Sequence, residues 1–165
     1  MKEIFPNLFI GNQEDFDRFV KFQQNWATIH ACKEPYHRKA VGYTGRSCSK
    51  DNAEYLLAIR DDELMLNLVD VADPLWISPI IIDKAISFIS EKLDEGKKVL
   101  VHCNQGHSRS AIIGLLFLAS KGYFSKLSFK EAEIKYLKIY PDYFPAGGVK
   151  GYARQEWSKY RIDLE

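Results

Sequence analysis

Short apolar runs alternate with longer helical patterns along this chain. Nearly continuous apolar runs are typical of buried strands, and we predict four of them: residues 8–11, 27–32, 64–69 and 98–102. Segments with helical spacing or helix-start residues lie between and after these runs: residues 13–23, 51–59, 78–93, 111–120, 128–140 and 149–160. This alternation predicts an α/β fold with a central, mostly parallel twisted sheet and helices on both faces.

Three of the predicted helices begin with capping residues. The dipeptide Ser78–Pro79 predicts a helix start, because serine caps helices and proline suits the first helical position. Asp51 with Glu54, and Ser128 with Glu131, each have the spacing of a capping box. These signals set the expected first turns of the second, third and fifth helices.

The composition is that of an ordinary globular protein. The chain has 165 residues, 46% of them hydrophobic and 27% charged, and we predict one domain over residues 1–165. A formal net charge of +1 favours neither nucleic acid nor a membrane as partner. Glu3 and Pro6 interrupt the segment where a signal peptide needs an apolar core, and the apolar stretch 111–119 is too short to span a bilayer. Together with an odd number of cysteines, three, these features predict a reducing, cytoplasmic location.

The segment between the fourth strand and the following helix carries the candidate chemistry. Cys103 and Arg109 stand six positions apart around a loop that contains Gly106. A strand before this loop and a helix after it gather backbone N–H groups at a positive helix end, which suits a phosphate dianion. The same surroundings would make Cys103 a nucleophilic thiolate. We therefore predict phosphoryl transfer through sulfur, against the alternative that Cys103 is a small buried core residue.

Each residue of this loop has an expected role. Arg109 can bind two phosphate oxygens with its planar guanidinium, and Ser110 can donate a hydrogen bond to the departing sulfur. His102 is expected to brace the loop, since a thiolate needs no base to activate it. The residues between cysteine and arginine form the candidate phosphate-binding set: Asn104, Gln105, Gly106, His107 and Ser108.

The stretch His102–Ser110 resembles the signature of cysteine-based protein tyrosine phosphatases, and its arginine-serine ending resembles the dual-specificity branch. Three further segments are similar to that branch: residues 4–12, 85–89 and 140–145. In the last of them, Tyr140 replaces the family's arginine. The resemblance implies a two-step hydrolysis of phosphate monoesters that uses neither a metal nor an organic cofactor.

The resemblance also implies a general acid, an aspartate on a mobile loop before the cysteine. Asp70 and Asp73 lie 33 and 30 residues before Cys103, so spacing leaves both open. Asp70 is the first polar residue after a predicted strand, which slightly favours it. Asp73 precedes Pro74, whose fixed φ would stiffen that position.

We expect a phosphatase that acts on phosphotyrosine and on phosphoserine or phosphothreonine in proteins. By resemblance, the basic segment 33–50 would border the active-site mouth, where its charge would attract phosphorylated protein; the alternative is a solvated loop whose charges have no specific role. The same chemistry on a phosphoinositide or an RNA 5′-phosphate is an alternative. Against it, the loop 104–108 contains no lysine, and Ser110 stands where RNA-directed relatives have threonine. A phosphopeptide-binding module without turnover is the third interpretation.

Overall fold

The computed structural model describes all 165 residues and contains one six-stranded sheet. The strands are β1 (Lys2–Phe5), β2 (Leu8–Asn12), β3 (Trp26–His30), β4 (Leu57–Arg60), β5 (Glu63–Leu66) and β6 (Lys98–Cys103). Their order across the sheet is β1-β2-β6-β3-β5-β4. The four central strands are parallel, and the edge strands β1 and β4 are antiparallel to their neighbours. The predicted α/β fold with a mostly parallel sheet is therefore confirmed.

Seven α-helical segments connect and cover the strands. They are α1 (Gln13–Asp15), α2 (Arg38–Val41), α3 (Pro79–Asp94), α4 (Arg109–Ser120), α5 (Phe129–Ile139), α6 (Gly147–Gln155) and α7 (Trp157–Tyr160). Two π-helical turns, Phe16–Val20 and Lys33–His37, adjoin α1 and α2, and a 3₁₀ helix spans Pro74–Trp76. The long helix α4 directly follows the candidate loop and is buried from Ser110 to Ala119.

Side chains of β6 alternate between the two faces of the sheet. Val99 and Val101 join the main core of 38 buried residues, which includes residues of α3 and α4. Leu100 instead packs with Phe16 and Val20 of the first π-helical turn, on the opposite face. Because both faces are covered, a continuous apolar run is stable in this central strand.

The prediction of a helix over residues 51–59 is wrong. Residues 57–60 form β4, which pairs antiparallel with β5, and turns precede it. The Asp51–Glu54 capping box is absent, because the backbone N–H of Glu54 donates to Asn52 Oδ1 at 2.8 Å instead. Pairing with the edge of β5 satisfies the backbone of this segment and outweighs its local capping signal.

The other two helix starts predicted from capping residues agree with the structure, whereas α4 and α6 each begin two residues earlier than predicted. Ser128 and Glu131 form the expected capping box at the start of α5. Helix α3 begins at Pro79 as predicted, although the Ser78 side chain makes no capping hydrogen bond. The predicted helix 149–160 is divided at Glu156 into α6 and α7. No helix of this protein is both long and apolar enough to cross a lipid bilayer.

Candidate active site

The candidate loop lies at the C-terminal edge of the parallel strands, where α/β sheets bind their ligands. Strand β6 ends at Cys103, and α4 begins at Arg109. A cavity of about 430 Å³ opens above the loop. Its lining combines seven predicted site residues with three from a later loop: Asp70, Cys103, Asn104, Gln105, His107, Ser108, Arg109, Phe144, Pro145 and Ala146.

Gly106 allows the loop to turn beneath this cavity. Its φ of 79° lies in the left-handed region, and a Cβ there would approach the Gly11 carbonyl oxygen to 2.9 Å. Glycine therefore fits both the backbone conformation and the close approach to β2. In this conformation the Gly106 N–H donates to Cys103 Sγ at 3.3 Å.

The Cys103 thiol is buried at the base of the cavity, with 2% of the residue exposed. Its Sγ lies 3.2 Å from Ser110 Oγ, and Ser110 also donates to the Gly11 carbonyl oxygen at 3.3 Å. A hydroxyl has one hydrogen, so Ser110 can give it either to Gly11 or to the sulfur. The predicted hydrogen bond from Ser110 to the sulfur is therefore within reach in this arrangement.

Arg109 is held beside the thiol by two hydrogen bonds. Its Nη1 donates to the Leu68 carbonyl oxygen at 3.1 Å, and its Nη2 donates to Asn104 Oδ1 at 2.8 Å. The buried Nε has no hydrogen-bond partner, and Asp70 Oδ2 lies 3.8 Å from it. A buried, unpaired guanidinium nitrogen is costly unless a ligand completes its bonding, which suits an anionic substrate.

The two candidate aspartates have different surroundings. Asp70 lines the cavity, and its Oδ1 accepts a hydrogen bond from Ser108 Oγ at 3.0 Å. Asp73 is absent from the cavity lining and caps the 3₁₀ helix, where its Oδ1 accepts from the Leu75 N–H at 2.9 Å. The structure thus brings Asp70, and not Asp73, to the same cavity as Cys103.

Comparison with known proteins agrees with this geometry. Residues 76–139 match the family model of the dual specificity phosphatase catalytic domain. No curated protein matches the chain in sequence. The predicted resemblance to the dual-specificity branch is confirmed. Over these residues the chain is similar to the catalytic domain of dual-specificity phosphatases.

Solved structures share the fold of this protein over nearly its whole length. The human tyrosine phosphatase-like serine/threonine/tyrosine-interacting protein has a TM-score of 0.66 at 20% identity, with 97% of each chain covered. A leucine-rich repeat and phosphatase domain protein from Entamoeba histolytica has a TM-score of 0.61 at 18% identity, covering 98% of this chain and 95% of the other. The Yvh1 phosphatase domain from Chaetomium thermophilum has a TM-score of 0.61 at 19% identity, with 93% and 91% covered.

His102 is fully buried behind the loop. Its Nε2 lies 2.6 Å from Nδ1 of His30, and its Nδ1 lies 3.4 Å from the Cys103 carbonyl oxygen. Its ring stacks on Phe16 with 5.2 Å between the centroids. Burial lowers the pKa of His102 from 6.5 to about 3, so the ring is neutral near pH 7. These contacts agree with the predicted bracing role.

The basic segment 33–50 reaches the candidate loop through Asn104, whose Nδ2 donates to the Glu34 carbonyl oxygen at 3.1 Å. Two of its cations are engaged within the segment. Arg38 makes two hydrogen bonds of 2.6 Å to the Glu34 carboxylate, and Lys33 donates to the Arg46 carbonyl oxygen. Part of the predicted positive charge is therefore neutralised locally.

The loop before α6 supplies one wall of the cavity, which the sequence analysis did not assign to the site. Phe144 lines the cavity, yet 83% of the residue is exposed. The same loop contacts the backbone of residues 103–109, the candidate phosphate loop, through Tyr140 and Phe144. Its similarity to a segment of the family was the signal available in the sequence, but apolar residues there do not by themselves indicate a binding role.

Proposed function

We propose that this protein is a phosphatase that hydrolyses phosphotyrosine, and also phosphoserine and phosphothreonine, in proteins through a phosphocysteine intermediate. The observation that carries the proposal is the meeting of Cys103, Arg109 and Asp70 around one cavity. Each has the chemistry of one part of the reaction: a nucleophile, an anion clamp and a proton donor. None of these roles requires a metal or an organic cofactor.

In the first step, Cys103 Sγ attacks phosphorus as a thiolate. The S–P bond forms while the bond from phosphorus to the substrate oxygen breaks. Arg109 and the loop N–H groups bind the phosphoryl oxygens, where charge accumulates. Asp70, in its protonated form, gives its proton to the leaving oxygen, so the dephosphorylated hydroxyl departs neutral.

In the second step, water attacks the phosphocysteine. Asp70, now a carboxylate, takes a proton from the water as the new P–O bond forms. The S–P bond breaks, and the electron pair returns to Cys103 Sγ. Ser110 stabilises the departing thiolate by donating its hydrogen to the sulfur, and phosphate leaves.

A protein substrate accounts best for the lining of the cavity. Phe144 offers an exposed ring beside the phosphate site, where it can pack against the phenyl group of phosphotyrosine. The loop residues 104–108 include no lysine that could bind the additional phosphates of a phosphoinositide. We further propose one catalytic domain over residues 1–165, a cytoplasmic location, and no membrane or nucleic acid partner.

A phosphopeptide-binding module is the second candidate, because one structural neighbour is described as a phosphatase-like interacting protein. Replacing Cys103 separates the two candidates. For an enzyme, we expect Cys103→Ser to reduce p-nitrophenyl phosphate hydrolysis to background while phosphopeptide binding persists. The wild-type protein should also release phosphate from phosphopeptides faster than from phosphoinositides or 5′-triphosphorylated RNA.

Phosphate release by the wild-type protein under reducing conditions decides between these candidates. Binding of phosphopeptide without any release would favour the binding module and reject the enzyme. Preferential release from a phosphoinositide or RNA would retain the chemistry but reject the protein substrate.

A further inference from the structure

We propose that Tyr140 is a positioning residue, whose hydroxyl holds the Gly106 carbonyl outside the phosphate loop and thereby aims the His107 N–H at the phosphate. The inference rests on the proposed function, because it concerns the same oxyanion site. Tyr140 itself would not touch the substrate. Its effect would pass through the peptide group that joins Gly106 to His107.

The contact between Tyr140 and the loop is short and buried. Tyr140 Oη donates to the Gly106 carbonyl oxygen at 2.7 Å, and 3% of Tyr140 is exposed. Burial also raises the pKa of Tyr140 well above its usual value of 10. The hydroxyl therefore keeps its proton, and remains a donor, at every pH where the protein would work.

Because of peptide geometry, a hydrogen bond to the Gly106 carbonyl on the outer side of the loop also fixes the direction of the His107 N–H on the inner side. In a trans peptide the carbonyl and the following N–H point in opposite directions. With the Gly106 carbonyl turned outward to Tyr140, the His107 N–H is turned inward. The next peptide is held in the same way, because the Phe144 N–H donates to the His107 carbonyl oxygen at 2.9 Å and leaves the Ser108 N–H on the inner side.

The two inward N–H groups are free to bind a ligand. Neither the His107 N–H nor the Ser108 N–H has an acceptor within the protein, and both residues line the cavity above Cys103. Unpaired backbone donors that face a cavity are the pattern expected of an oxyanion site. The segment from Tyr140 to Phe144 therefore keeps two such donors oriented before substrate arrives.

Tyr136, one helical turn before Tyr140, provides a matched control. It is fully buried, and its hydroxyl has no hydrogen-bond partner. Tyr136→Phe removes the same hydroxyl group as Tyr140→Phe, and it does so at a similarly buried position. It breaks no contact with the phosphate loop.

We expect Tyr140→Phe to lower kcat/KM for p-nitrophenyl phosphate about tenfold and to weaken inhibition by tungstate, a phosphate-like oxyanion, by a similar factor. Tyr136→Phe should change both values less than about twofold. Circular dichroism and thermal unfolding of both variants verify that each is folded. Equal effects of the two substitutions, or unchanged tungstate inhibition in folded Tyr140→Phe, would overturn the proposal.

A second measurement needs no variant. In the ¹⁵N-labelled wild-type protein, the amide signals of His107 and Ser108 should be among those that shift most when tungstate is added. If these two signals do not move, the inference is wrong even if Tyr140→Phe fails to fold. Calorimetric tungstate binding to wild type and Tyr140→Phe tests the inference even if the wild-type protein proves to have no phosphatase activity.

Discussion

Asp70 and Asp73 are three residues apart, yet their carboxylates lie in different surroundings and have different hydrogen-bond partners. The Asp73 carboxylate is occupied by the Leu75 N–H at the start of a 3₁₀ helix. Asp70 faces the cavity and accepts a hydrogen bond from Ser108, a residue of the phosphate loop. At the residue scale, we therefore propose Asp70 as the aspartate that reaches a leaving group.

We expect Asp70→Asn to reduce kcat for phenyl phosphate about 100-fold or more, because an amide cannot transfer the required proton. Asp73→Asn should change kcat less than about threefold, since asparagine caps helices as well as aspartate does. Steady-state kinetics with purified, folded variants measure both values. The assignment of Asp70 fails if the two substitutions have equal effects or if Asp73→Asn has the larger one.

At the scale of elements, helix α5 links a local capping signal to the phosphate loop. Its start is closed by the reciprocal hydrogen bonds of Ser128 and Glu131. The helix then buries Ala132 and Tyr136 on one face and ends just before Tyr140. Because this helix ends just before Tyr140, its position places the Tyr140 hydroxyl within hydrogen-bond distance of the Gly106 carbonyl.

Loss of the cap should reduce stability without changing the chemistry. We expect Ser128→Ala to lower the free energy of unfolding by about 1 kcal/mol, because it leaves helix N–H groups without their acceptor. Urea unfolding measures this loss, and kcat/KM should remain within about twofold of wild type. Ser87→Ala, at an exposed position of helix α3, is the control: Ser87 donates to the Lys84 carbonyl of its own helix, so its removal should cost less than about 0.5 kcal/mol.

If Ser128→Ala and Ser87→Ala both lower the free energy of unfolding by about 1 kcal/mol, the capping explanation is wrong. A fall in kcat/KM that exceeds twofold in folded Ser128→Ala would show that the cap also controls the geometry of the loop.

At the scale of the whole molecule, two buried histidines connect neighbouring central strands behind the site. His30 on β3 and His102 on β6 lie opposite each other in the sheet register, with ring nitrogens 2.6 Å apart. Glu63 of β5 extends the row by its contact with His30 at 3.0 Å. Burial is the largest cause that lowers the pKa of both histidines, although Glu63 partly opposes it for His30.

These buried histidines should make folding stability depend on pH. The pKa of His102 is about 3 in the folded protein against 6.5 in the unfolded chain, so the unfolded chain binds more protons between these values. Stability is therefore present above pH 6.5 and falls as the pH decreases, by up to about 1.4 kcal/mol per pH unit from this group. Urea unfolding at pH 7.5 and 5.0 measures the slope.

We expect His102→Gln to reduce this slope, because glutamine cannot titrate. Its stability at pH 7.5 would be lower than that of wild type if packing is lost, but the difference between the two pH values is the informative quantity. An identical slope in wild type and His102→Gln would reject His102 as its source.

The sequence predicted most of the elements that build the site, since their signals are local. The apolar run of β6, the turn at Gly106 and the apolar helix α4 follow one another directly in the chain. The prediction of a helix over residues 51–59 was wrong for the opposite reason. Its backbone pairs with β5 along the sheet edge, and that long-range pairing overrides the capping pattern of Asp51 and Glu54.

The sequence by itself determined the fold class and the loop that joins Cys103 to Arg109, because spacing within a few residues fixes a strand, a turn and a helix. Only the tertiary structure decided that Asp70 faces the cavity and that Tyr140 holds the Gly106 carbonyl. These contacts join positions more than 30 residues apart. Such contacts depend on how the elements pack, and neighbouring residues in the chain carry no direct signal for them.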